Sequence, residues 1–194
     1  VVDPYSDVFV AGETSGGTLP TQNPGCNAYY QPSNAGAWDL FILKFNNAGV
    51  RNWATFYGGN GNDRSAAWWS YDIAITTDSC NFYLTSQSDG MSFNNVPTLN
   101  PGGGSFFQGL SAGSTDPIIL EFALSGELKW ATFCGSGLGH GTGIAVDNSG
   151  NLFVAGEWRS STGAPTMNPG GGAFFQATGG TDAACLIKFG PSAP

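Results

Sequence analysis

Apolar residues along the chain come in short runs that are rich in β-branched and aromatic side chains and bounded by Gly, Asn, Asp and Pro. None keeps a 3.6-residue period over a useful length, so the runs predict strands and no helices. The runs also repeat. Asp7-Val-Phe-Val-Ala-Gly-Glu13 returns as Asn81-Phe-Tyr-Leu-Thr-Ser-Gln87 and Asn151-Leu-Phe-Val-Ala-Gly-Glu157. Asp39-Leu-Phe-Ile-Leu-Lys-Phe45 returns as Asp116-Pro-Ile-Ile-Leu-Glu-Phe122 and as Asp182-Ala-Ala-Cys-Leu-Ile-Lys-Phe189, whose extra residue suggests a bulge. Trp53-Ala-Thr-Phe-Tyr57 returns once, as Trp130-Ala-Thr-Phe-Cys134, and Ile73-Ala-Ile75 matches Ile144-Ala-Val146 and the opening Val1-Val2.

Between the first and second kinds of run lies a repeated peptide, Pro-Thr-x-Asn-Pro-Gly, three residues, two aromatics and Gln. Its copies are Pro20 to Gln31, Pro97 to Gln108 and Pro165 to Gln176. Each repeat then reads as four strands, a to d. A tight turn such as Asn148-Ser-Gly150 joins a to b, and the long loop with the repeated peptide joins b to c. Asn46 to Gly49 or Ala123 to Gly126 joins c to d. Runs such as Leu40 to Leu43 are apolar on both faces, which one wet-faced sheet does not need. Four antiparallel strands buried on both faces describe a propeller blade, and blades hide their faces only by stacking. The expected fold class is all-β, with about three blades: 1–58, 59–135 and 136–189, followed by a tail at 190–194. The first blade holds a partial strand a, and the third ends after strand c. About eleven strands fall short of the roughly four to eight blades of a closed ring. The expected chain is therefore part of a larger propeller, whose remainder, or a surface assembly, is the expected partner. The Val at residue 1 fits a processed chain or a piece of a longer one.

These residues resemble the bacterial β-propeller repeat family called SBBP. Trp53 to Gly59, Asp63, Ile144 to Asp147, Gly150 to Gly156, Pro165-Thr166 and Lys188-Phe189 carry the resemblance. It implies a propeller in a large secreted or surface-attached bacterial protein, with no catalytic residues common to the family. His140 stands where the second repeat has Asp63, and the Asn-Pro-Gly insertion lengthens the b–c loop. No ligand property is carried over at those places.

Composition narrows the partners. Six Lys plus Arg against 14 Asp plus Glu give a formal charge of −8. Nucleic acid and anionic membrane both call for a basic face, so neither is expected, and no run approaches a membrane span. Few lysines and abundant Asn, Gly, Ser and Thr lean towards a secreted or cell-surface protein. Four cysteines, Cys26, Cys80, Cys134 and Cys185, permit two disulfides of unknown pairing. A thiolate zinc site does not fit, since there is no C-x-x-C and only one histidine.

Candidate chemistry is sparse. Gly58-Gly-Asn-Gly-Asn-Asp63 looks like a calcium-binding nonapeptide, but Ser65 stands where the calcium roll has an apolar residue, so a d-to-a turn is the better reading and no cofactor is expected. Trp68, Trp69 and Tyr71 form an aromatic cluster that, if exposed, would stack on sugar rings or a protein partner; packing between blades is the favoured alternative. His140 has no nucleophile and orienting acid at matching spacing. Asp3, Asp78 and Asp147 fall at the a–b turns, where side-chain bonds to the backbone cap the turn. No carboxylate pair of the glycosidase kind stands out. The expected function is a non-catalytic extracellular module with a structural, adhesive or protein-interaction role. A glycan-binding propeller is the alternative, and an enzyme whose active site lies elsewhere is the weaker one.

Overall fold

The structure, a computed structural model, describes residues 1–16, 18–63, 74–89, 95–158, 167–176 and 182–190. Ten strands run β1 (Val8–Thr14), β2 (Asp39–Phe45), β3 (Arg51–Tyr57), β4 (Ala74–Thr77), β5 (Asn81–Asp89), β6 (Thr115–Ala123), β7 (Leu128–Phe133), β8 (Gly139–Val146), β9 (Leu152–Trp158) and β10 (Ala183–Phe189). There is no helix among the described residues, and so none long and apolar enough to cross a membrane. The strands form three antiparallel sheets in chain order: β1-β2-β3, β4-β5-β6-β7 and β8-β9-β10. In the first sheet a bridge between Val2 and Val8 stands where the others have a full first strand.

The turns follow the local chemistry. Gly49 and Gly126 take φ values of 76° and 95° and donate to the carbonyls of Asn46 and Ala123, closing the β2–β3 and β6–β7 hairpins. Next to each of these turns the ladder slips by one residue, at Lys44/Phe45 and at Glu121/Phe122. The longer third copy, Asp182 to Phe189, carries no bulge: β10 pairs with β9 in unbroken register from Ala183 to Phe189. The added residue is absorbed before the strand, which leaves Asp182 exposed while Asp39 and Asp116 are fully buried.

Each sheet presents one face to the next. The face of the first sheet bearing Phe9, Ile42, Trp53 and Tyr57 packs on the second sheet's Phe82, Leu84, Ile118, Leu120 and Phe122. Phe82 and Phe122 lie stacked at 4.9 Å, and Phe9 meets Phe82 at 4.6 Å. The opposite face of the second sheet, with Tyr83, Ile119, Trp130 and Cys134, packs on Leu152, Val154, Ile187 and Phe189 of the third. Expected two-sided burial therefore holds in the second sheet, where β6 is buried from Asp116 to Phe122. Among the described residues each end sheet packs on one neighbouring sheet, and its outward face is only partly covered. Val8 and Val10 stay more than a third exposed, and Leu186 is 70% exposed. Lys44 adds a polar tie between the first two sheets: Nζ donates to the Leu124 carbonyl at 2.8 Å, pairs with Asp7 at 3.0 Å and lies over the Phe9 ring.

The repeated peptide forms a strap along the outer edge of a sheet. Gln22 exchanges both backbone hydrogen bonds with Ala54 of β3, and Leu99 does the same with Ala131 of β7. The Trp53 and Trp130 indoles donate to the Tyr29 and Phe106 carbonyls at 3.0 Å. The Gln31 and Gln108 amides donate to the Thr55 and Thr132 hydroxyls at 2.8 Å. These bonds to the strap backbone fasten the loop to the sheet edge, and the strap shields an edge strand that would otherwise invite foreign pairing. Thr55→Val removes the acceptor of the Gln31 amide at constant shape. It is expected to cost about 1–3 kcal/mol in denaturant unfolding and to speed proteolysis between residues 20 and 31.

Candidate functional site

Three acidic turns gather at one end of the stack. In each, one aspartate oxygen accepts two backbone amides: Asp3 from Tyr5 and Asp7, Asp78 from Cys80 and Asn81, Asp147 from Ser149 and Asn151, at 2.7–2.9 Å. These are the a–b turn caps expected from sequence. The second oxygen differs: Asp78 accepts from the Tyr83 hydroxyl at 2.8 Å and Asp147 from the Asn151 side chain at 2.7 Å. A groove of about 760 Å³ spans the three turns, lined also by Tyr83, Glu121 and Val146. Bonds from the Asn151 side chain and amide hold the Asp147 carboxyl below the usual range. Burial raises the Tyr83 phenol above its usual range, so it stays a donor. The groove is therefore acidic, and its aspartates are committed to turn geometry. Asp147, held ionised in this way, does not supply the protonated acid that glycoside hydrolysis needs.

A second acidic pair lies where the first strap meets the loop after β3. The Asp39 carboxylate accepts from the Gln31 side chain at 2.7 Å and the Ala35 amide at 2.8 Å. Its other oxygen has no partner among the described residues. Asp63 accepts from the Gly59 amide at 2.6 Å and the Ser88 hydroxyl at 2.5 Å, tying this loop to the second sheet. A Cβ on Gly58 would sit 2.7 Å from Asp39 Oδ1 and 2.8 Å from Asp63 Oδ2, so both carboxylates close over that glycine. Burial raises the Asp39 carboxyl above its usual range, against the lowering effect of its amide bonds. The loop Gly58 to Asp63 is thus a turn capped by its own aspartate. At the corresponding place in the next repeat, His140 lies 3.3 Å from Glu157.

Of the residues singled out from sequence, Trp68, Trp69 and Tyr71 lie outside the described residues. Cys26, Cys80, Cys134 and Cys185 are all free thiols, the first two exposed and Cys134 buried. Cys26 also holds a left-handed φ of 54° where the other straps carry glycine. Burial, with Cys185 and Asp116 nearby, pushes the Cys134 thiol up to about 12, and burial raises Cys185 as well. Neither is a nucleophile at neutral pH. The Asp39–Asp63 pairing and the roles of Gln31 and Lys44 were not foreseen. The signal was present: Asp opens every copy of the β2-type run, and Gln ends every strap. No family model and no curated protein matches the chain.

Two outcomes are expected. The raised Asp39 carboxyl means that the fold favours the protonated form, so its contribution to stability is complete below about pH 4 and fades as pH rises through the raised value. Asp39→Asn should flatten this decline in urea unfolding measured across pH 3–8, and an unchanged profile would contradict the assignment. At pH 8 iodoacetamide should alkylate Cys26 and Cys80 rapidly and Cys134 only on unfolding, read by peptide mass mapping.

Proposed function

We propose that the chain is a non-catalytic β-propeller module of a secreted or cell-surface protein, with a structural, adhesive or protein-interaction role. The observation that carries this reading is the repeated use of the same two faces. The Phe9–Ile42–Trp53 face of one sheet meets the Phe82–Leu120–Phe122 face of the next, and the pattern recurs one sheet further on. The first strand of the third sheet, β8, lies across β4, β5 and β6 of the second. The two end faces, around Val8 and Val10 on the first sheet and around Leu186 on the third, are the surfaces on which further sheets of this kind would continue the array. The SBBP resemblance agrees with this reading and with surface location in bacteria.

The carboxylates and thiols that serve turns and packing among the described residues support the non-catalytic part of this reading. Glycan binding through Trp68, Trp69 and Tyr71 is the alternative, and glycan-array binding lost on Trp68→Ala would favour it. The natural polypeptide is expected to exceed 20.1 kDa and to show a ring of about four to eight blades by electron microscopy. A native mass near 20.1 kDa with no ring would refute the larger-propeller reading.

A further inference from the structure

Trp130 of β7 and Phe189 of β10 meet across the boundary between the second and third sheets, with ring centroids 5.2 Å apart. β10 corresponds in its sheet to β6 in the second, and β6 runs antiparallel to β7. Four residues onward from Trp130 and four residues back from Phe189 therefore lead the same way by the same distance, about 13 Å. The residues reached are Cys134, just past the end of β7, and Cys185. Both stand on the faces that meet. Cys134 is buried in the core between the two sheets, and Ile187 packs against that core. Exposure alternates along β10, with Cys185, Ile187 and Phe189 on the less exposed face. The boundary between the first and second sheets has the same construction. Trp53 meets Phe122 at 5.7 Å, and the same four steps lead to Tyr57 and Ile118, both buried in the shared core. At the next boundary both of these positions are cysteine.

We propose that Cys134 and Cys185 are a disulfide-forming pair that staples the second sheet to the third when the chain folds in the presence of a small-molecule disulfide. A disulfide is able to span two stacked sheets about 10 Å apart, as the inter-sheet bridge of antibody domains does. Cys26 lies in the first strap and Cys80 in the turn before β5, both exposed, so neither belongs to this boundary. In the reduced fold, burial first and the neighbouring Cys185 second hold the Cys134 thiol above its usual range. Exchange therefore begins before the sheets close, while the thiols are in water and titrate near their ordinary value. The Cys185 thiolate attacks the small disulfide and releases one small thiol. As the third sheet docks, Cys134 gives up its proton and attacks the sulfur of Cys185, releasing the second small thiol. The two cysteines lose two electrons and two protons, and the small disulfide is reduced to two thiols. The bond closes the chain from residue 134 to residue 185, a long loop whose constraint falls mainly on the unfolded state. The pairing depends on the packing of the third sheet on the second and not on ring closure, so it stands or falls separately from the propeller reading.

The test refolds the reduced 194-residue chain in a buffer of glutathione and glutathione disulfide. The product is then unfolded without reductant, alkylated and mapped by peptide mass. Cys134 and Cys185 should appear joined in one cross-linked peptide pair, while Cys26 and Cys80 carry alkyl or glutathionyl groups. The urea midpoint of the joined form should exceed that of the reduced form by about 1 M or more, and dithiothreitol should remove the gain. Cys185→Ser, at a half-buried position, should leave Cys134 open to alkylation on unfolding and abolish the oxidant-dependent gain; Cys134→Ala should abolish it from the other side. Alkylation of both Cys134 and Cys185 in the chain refolded with excess glutathione disulfide would overturn the proposal. So would cross-links that run through Cys26 or Cys80, or a joined form no more stable than the reduced one.

Discussion

A sheet with apolar side chains on both faces cannot hide them with its own strands. That constraint organises the whole molecule. The second sheet satisfies it by having a neighbour on each side, and its central strand β6 is consequently buried along nearly its full length. The first and third sheets have a neighbouring sheet on one side only among the described residues. Their outward faces keep the same kinds of side chain as the covered ones, because each sheet derives from the same repeat. Lys44 and Lys188 illustrate this: each lies over the ring that corresponds to the other's, Phe9 at 5.1 Å and Phe153 at 5.6 Å, although only Lys44 has a neighbouring sheet to reach.

Edges pose the second problem, and the strap solves it by side-chain chemistry as well as backbone pairing. Trp, Thr and Gln each satisfy a polar group that the loop would otherwise bury or leave unmade. The same three residue types recur in both complete straps, and the distances agree within 0.1 Å for the Trp and Thr bonds. Repetition of the residues therefore reflects repetition of the bonds. The acidic turns obey the same logic at the other end of the stack, where one aspartate oxygen closes each hairpin.

Much of this was legible in the sequence. Strand identity, strand order and the Gly and Asn turns followed from short apolar runs bounded by turn residues, because those signals are local. Asp3, Asp78 and Asp147 were legible as caps for the same reason. The contacts of Lys44 with Leu124 and of Asp63 with Ser88 were not, since they join residues far apart in the chain. The extra residue before β10 misled because a one-residue insertion looks alike in sequence whether it bulges within the strand or is absorbed ahead of it. Ring closure is a property of the angle between sheets, which no residue pattern encodes directly.

The straps and the turns also differ in when they can form. An aspartate turn closes bonds between residues two to four apart. The strap's bonds to Trp and Thr span 24 residues and need a finished edge strand to receive them. Loop-closure entropy favours the short connections. Each repeat thus assembles from its hairpins outward, with the strap as the last piece laid down and, when the sheet is pulled apart, the first to peel away.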